Sequence, residues 1–266
     1  MTAPSFYELQ QKRALSHLGL NPFPWYKSMR MSSPVSIDEQ DQLGELFCYK
    51  DVQSVLADPL LFSSKGQFEG DSEGEERGSI VVLDPPRHNK LRALVSQAFT
   101  FRSIEQQANN IRTIVNELLD AVSSDTLDVI QDLGVPLPMR VMAGILGVPL
   151  ARQADFKRWV QESTSDSPEL VFASFQALNE YIRTLLSQRR EERQDDLISA
   201  LLDAQIDGEP LTEQEIVDFC VLLLGAGFET STHLLGNAFL CLDEHPSARE
   251  QLWADPSLLP SAIEEV

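Results

Sequence analysis

Residues 225–232 read Gly-Ala-Gly-Phe-Glu-Thr-Ser-Thr, two glycines followed by an acid and three hydroxyl side chains. They interrupt a pattern that is otherwise helical and apolar. Ile216, Phe219, Cys220, Leu223, Leu224, Gly227, Thr230, Leu234, Leu235, Ala238 and Leu242 recur at helical period, and Thr212 followed by Glu215 predicts a capping box at the start. The helix is expected from 213 to about 243, roughly 46 Å at 1.5 Å per residue. Glycine in a helix interior costs about 1 kcal/mol relative to alanine, and a carboxylate beside a threonine on a mostly buried helix needs partners or water. A site at mid-helix is the reading that accounts for both. Two glycines and a threonine able to bond backwards also predict a kink or widened turn between Leu224 and Thr230.

Upstream, residues 83–99 read LDPPRHNKLRALVSQAF, a Pro-Pro stop and then an amphipathic helix. His88 and Arg92 are four apart and share a helix face. Two donors aimed the same way suit a pair of carboxylates, one of which arginine can grip bidentately.

The net charge of −20 disfavours a nucleic-acid partner, and 42% hydrophobic residues suffice for a core. The acidic stretch 69–76 (EGDSEGEE) reads as a solvated loop. The first residues lack an apolar segment of signal-peptide length, and the longest uninterrupted apolar run, near 221–224, predicts no membrane anchor. Cys48, Cys220 and Cys241 follow no disulfide or Cys-x-x-Cys spacing and are assigned to packing in a reducing compartment. His233, four after Glu229, gives two ligands where catalytic zinc takes three from the protein, so no metal site is expected. Residues 188–196 read as a solvated helix end and 205–210 as a loop between helices. No internal repeat or domain boundary is visible.

Residues 226–231 match position for position the Ala/Gly-Gly-x-Asp/Glu-Thr-Thr/Ser motif of the cytochrome P450 family, and the chain resembles the soluble bacterial-type members of those haem-thiolate monooxygenases. The resemblance implies that Glu229 and Thr230 manage protons, that Ala226 and Gly227 leave room for haem b, and that His88 and Arg92 bind its propionates. It places Ile80, Val81, Val82 and Leu223 at the substrate pocket. Residues 34–37 and 43–48 look like the family's first two strands and 49–58 like the helix after them. Residues 126–149 resemble a helix and turn, 151–192 the substrate-cover helices, and 245–253 the helix after the central one. The whole chain is covered.

The fold is expected to be mainly α with a small β-sheet edge, and residues 1–266 to form a single, incomplete domain. Glu265 would open the family's Glu-x-x-Arg helix, and none of the three cysteines lies in a Phe-x-x-Gly loop, so the iron ligand is expected outside this chain. The implied function is insertion of one oxygen atom from dioxygen into a hydrophobic small molecule. Electrons would come from a ferredoxin- or flavodoxin-type donor, in the cytoplasm. The alternative is a catalytically inactive helical fragment that binds an apolar ligand or a protein. For the isolated chain the expectation is poor solubility and no stoichiometric haem, because the inner face of the central helix would lie open.

Overall fold

Side-chain caps at Ser167, Asp196 and Thr212 open three of the helices, and Asp128 caps a π-helical turn. The computed structural model describes residues 22–39, 43–65, 80–98, 101–163, 165 and 167–266. The acidic stretch 69–76 and the first twenty-one residues lie outside these. By Cα packing the chain divides into two units, Met1–Leu91 and Arg92–Val266, with the boundary inside one helix.

In the first unit, helix α1 (Phe23–Ser32) begins at Pro22 and leads into β1 (Val35–Asp38) and β2 (Leu43–Leu46). The strands pair antiparallel with Val35 opposite Leu46 and Asp38 opposite Leu43. Trp25 of α1 meets Phe47 edge to face at 5.3 Å, a geometry that aromatic rings favour. Helix α2 (Tyr49–Ala57) follows, then a 3-10 turn at Ile80–Val82. Asp84 accepts from the Ser63 hydroxyl at 2.5 Å and the Ser64 amide at 2.9 Å. These bonds hold its carboxyl below the usual range, with Lys65 and His88 adding to the effect. Helix α3 (Arg87–Ala98) starts directly after.

The second unit is almost wholly helical. Its elements are α4 (Phe101–Asp120), a π-helical turn (Val129–Gly134), α5 (Pro136–Ile145), α6 (Gln153–Glu162), α7 (Pro168–Glu191), α8 (Leu197–Asp203) and α9 (Glu213–Glu244). Helices α10 (Pro246–Ala254) and α11 (Leu259–Glu265) complete it. The expected capping box of α9 is present: Thr212 Oγ1 accepts from the Glu215 amide at 3.2 Å, and Glu215 Oε2 accepts from the Thr212 amide at 2.9 Å. Pro246 opens α10 at its first turn, where its missing N–H costs nothing.

The core of this unit gathers Met139, Met142 and Leu146 of α5 and its exit, Phe156 and Val160 of α6, and the α7 row Leu178, Ile182, Leu185 and Leu186. Against them lies α9, which buries Ile216, Cys220, Leu224, Phe228 and Thr232, each four residues after the last. The i+4 spacing is the ridge by which helices commonly interlock. Sequence periodicity placed Thr230 and Leu234 on this inward face as well, but both are exposed, Leu234 at 43%. The inward row turns instead through Phe228 and Thr232, because the π-helical turn packs on α9 there.

Residues 205–210 are not a plain loop. Gln205–Ile206 (β3) pairs with Glu209–Pro210 (β4). Asp207 and Gly208 hold φ of 57° and 85°, the backbone of a type I′ turn for which Asp-Gly is a strong signal. Residues 188–196 are a solvated helix end except at Arg189 and Asp196, the other seven being exposed. Arg189 Nε donates to Asp196 Oδ2 at 2.5 Å with side chains 4% and 3% exposed. Arg189 Nη2 also donates to the Gly147 carbonyl at 2.9 Å. Asp196 doubles as the cap of α8, accepting from the Ser199 amide at 2.8 Å. Gly147 has φ of +70°, and a Cβ there would stand 2.2 Å from Asp196 Oδ2.

Over its most apolar 18-residue window α9 has a mean hydropathy of 1.3, enough by length and composition to cross a membrane. The reading from uninterrupted runs missed this, since polar residues break the run without lowering the average below that mark. In this unit the same apolarity packs α9 into the core along one side.

Candidate functional site

Helical geometry places Ala226, Glu229, Thr230 and His233 on one side of α9, opposite the inward row, and all four are exposed. The rotation of the helix is fixed by the residue just before each of two of them. Phe228 is buried in the core, and Thr232 Oγ1 lies 2.9 Å from the carbonyl oxygens of both Gly134 and Phe228. Gly134 ends the π-helical turn, whose start is capped by Asp128 accepting from the Ile130 and Gln131 amides at 2.9 Å each.

Between Leu224 and Thr230 the helix remains α-helical without the widened turn expected. The hydroxyl of Thr230 does bond backwards, donating to the Ala226 carbonyl, but the i to i−4 ladder absorbs it. The π-helical geometry lies in the neighbouring turn instead.

The two glycines have different functions. At Gly225 a Cβ would meet nothing within 4 Å, whereas at Gly227 it would stand 2.9 Å from the sulfur of Met142. Gly227 therefore admits helix α5. The neighbouring positions open to solvent are Gly225 and Ala226. Gly236 is a third close approach, its Cβ position 2.8 Å from the Ile130 side chain.

Glu229 carries a carboxylate with no hydrogen-bond or ion-pair partner among the described residues. With His233, Phe228, Thr232, Val135 and Gln161 of α6 it lines a recess of ≈ 280 Å³. Gln161 had no sequence signal, because α6 and α9 are brought together only by tertiary packing. Leu223 is half-buried and packs against the core. Val81 is exposed while Ile80 and Val82 are partly covered.

His88 and Arg92 both lie on α3. The His88 ring Nδ1 is 3.2 Å from Asn89 Oδ1. Arg92 is exposed, and its guanidinium has no partner among the described residues. Cys220 is buried, which pushes its thiol up to about 12. No cluster of three or more His, Cys, Asp or Glu able to hold a metal occurs among the described residues.

The profile described as Cytochrome P450 matches residues 141–255. The chain is 36% identical to the putative cytochrome P450 YjiB of Bacillus subtilis, over 97% of this chain and 69% of that protein. The chain belongs to the cytochrome P450 family. Among solved cytochromes P450, substrate-free CYP109E1 from Bacillus megaterium superposes with a TM-score of 0.83 at 37% identity, over 92% of this chain and 67% of that one. Its complex with testosterone gives 0.82 at 38% identity, over 93% and 66%. The chain thus spans about two thirds of the length of these P450 relatives. Haem b is the prosthetic group of the P450 family and monooxygenation its reaction, so the mainly helical fold and the family read from residues 226–231 are both borne out.

Proposed function

We propose that this chain contributes the distal half of a soluble, cytoplasmic haem b monooxygenase, residues 1–266 forming part of one domain. That enzyme inserts one oxygen atom from dioxygen into a hydrophobic small molecule. A redox partner of ferredoxin or flavodoxin type supplies two electrons. The observation that carries this is the open side of α9: Gly225 with nothing within 4 Å of its Cβ position, beside an exposed Ala226 and the free Glu229 carboxylate.

That side fits a flat prosthetic group lying against small residues, and Arg92 fits a carboxylate ligand because its guanidinium has no partner among the described residues. Arg92 and His88 would hold the haem propionates. Haem, when bound, supplies the redox iron at which dioxygen is reduced. The chain's own part is proton handling and exclusion. Thr230 turns a hydroxyl towards the open side while bonded to Ala226 O, and Glu229 can take up and release a proton beside it. Ile80, Val81 and Val82 supply apolar surface for substrate, and Leu223 supports it from the core. The testosterone complex of CYP109E1 favours a large apolar substrate.

In this reading none of Cys48, Cys220 and Cys241 is the iron ligand, because none lies in a Phe-x-x-Gly loop. The second reading is a catalytically inactive helical body that binds an apolar ligand or a protein. Absorption spectra of the reduced carbon monoxide complex decide between the readings. A thiolate-type Soret band in a protein carrying this sequence, weakened by Arg92→Ala, supports the monooxygenase. No haem uptake in any protein carrying it overturns that reading.

A further inference from the structure

The recess between α6 and α9 sets Glu229 of the family motif beside His233, which lies outside that motif. Glu229 and His233 are one helical turn apart, so their Cβ atoms are separated by about 5–6 Å, and both side chains line the same ≈ 280 Å³ space. They are its titratable groups. The residues that face them from the other elements, Val135 and Gln161, carry no charge. Both side chains are exposed and neither has a hydrogen-bond partner among the described residues, so one water can join carboxylate and imidazole. Their placement is rigid at the backbone, because Phe228 and Thr232, the residues before each, are anchored in the core and on Gly134.

We propose that His233 reloads the Glu229 carboxylate with protons from solvent, the imidazole standing at the water end of the recess. In this step a ring N–H bond breaks and an O–H bond forms on the bridging water, which passes its own proton to a Glu229 oxygen. The imidazole regains a proton from bulk water, so charge and protons balance over a cycle. An imidazole suits this task because its unperturbed titration range spans physiological pH. His233 acts through Glu229 and is a positioning residue. The assignment rests on the monooxygenase reading for its purpose, but the coupling itself does not need haem.

The test has two arms. In the full-length enzyme freed of haem, imidazole nitrogen signals are recorded at one fixed pH for the wild type, Glu229→Gln and His233→Gln, the last assigning the signal of His233. Glu229→Gln shifts the His233 signals and leaves those of His245 in place. Unchanged His233 signals overturn the proposal whatever the haem spectrum shows. In the haem-loaded enzyme, His233→Gln lowers turnover by about 10-fold or more with substrate-binding spectra unaltered. Glu229→Gln/His233→Gln is no slower than Glu229→Gln alone, since one residue acts through the other. Additive losses in the double variant overturn the relay. Failure of the wild type to take up haem would instead count against the monooxygenase reading, leaving the first arm to judge the coupling.

Discussion

Thr232 Oγ1 stands 2.9 Å from the carbonyl oxygen of Gly134, 98 residues earlier in the chain. This contact ties the central helix to the π-helical turn and sets which side of the helix is open. Thr232→Val leaves that carbonyl without its buried donor and is expected to destabilise by about 1–3 kcal/mol, while Thr232→Ser retains most of the stability. Urea unfolding of the three proteins checks this, and equal midpoints for Val and Thr would refute it.

Gly225→Ala and Gly227→Ala should act in opposite directions although two residues apart. The first fills open space and gains up to about 1 kcal/mol of helix propensity. The second drives a Cβ to 2.9 Å from Met142 Sδ and is expected to lose about 1–3 kcal/mol through overpacking. Adding Met142→Ala to Gly227→Ala should recover part of the loss in thermal denaturation.

Removing one partner of the Arg189–Asp196 pair leaves the other charge buried. Arg189→Met or Asp196→Asn should therefore cost about 3–5 kcal/mol. Arg193 and Asp203 also pair, at 3.0 Å, but are 41% and 64% exposed, so Asp203→Asn should change stability by at most about 1 kcal/mol. Similar losses for both pairs would contradict the burial argument.

Cys220 predicts a pH effect. Burial pushes its thiol from an ordinary 9.0 up to about 12, so the folded chain keeps a proton that the unfolded chain releases. Its contribution is complete below 9.0 and is lost as pH climbs through that window to about 12. Cys220→Ala should flatten the alkaline decline in unfolding free energy, and native Cys220 should alkylate far more slowly than Cys48 or Cys241. A decline unchanged in the variant would point to other groups.

In the haem-loaded enzyme, Thr230→Ala should retain haem and divert reducing equivalents from product to peroxide, because the hydroxyl proposed to handle protons for oxygen cleavage is gone. The ratio of product formed to reductant consumed is the measurement, and an unchanged ratio would remove Thr230 from that role.

Local chemistry was legible in the sequence. Thr212 and Glu215 announced the start of α9 because both halves of a capping box lie within four residues, and residues 226–231 carried the family. Less visible was whatever depends on a distant neighbour. Gly225 and Gly227 look alike as letters, and only Met142 tells them apart. Arg189 and Asp196 looked like solvated charges because Gly147, which closes the pocket around them, is more than forty residues away. The drift of the inward row from Thr230 to Phe228 and Thr232 depends on the π-helical turn. The β3–β4 hairpin could have been read from Asp207-Gly208 alone.

That hairpin offers a practical handle. Asp207 and Gly208 are both exposed, and a Cβ at Gly208 would meet nothing within 4 Å. The hairpin ends at Pro210, two residues before Thr212, which locks the helix start with Glu215. Surface tips of this kind accept inserted sequence readily. A fluorescent reporter or a tethered reductase domain spliced between Asp207 and Gly208 would enter the chain next to α9 without touching its inward row. The same six-residue ribbon thus serves as an attachment point for building self-sufficient fusions or following assembly optically.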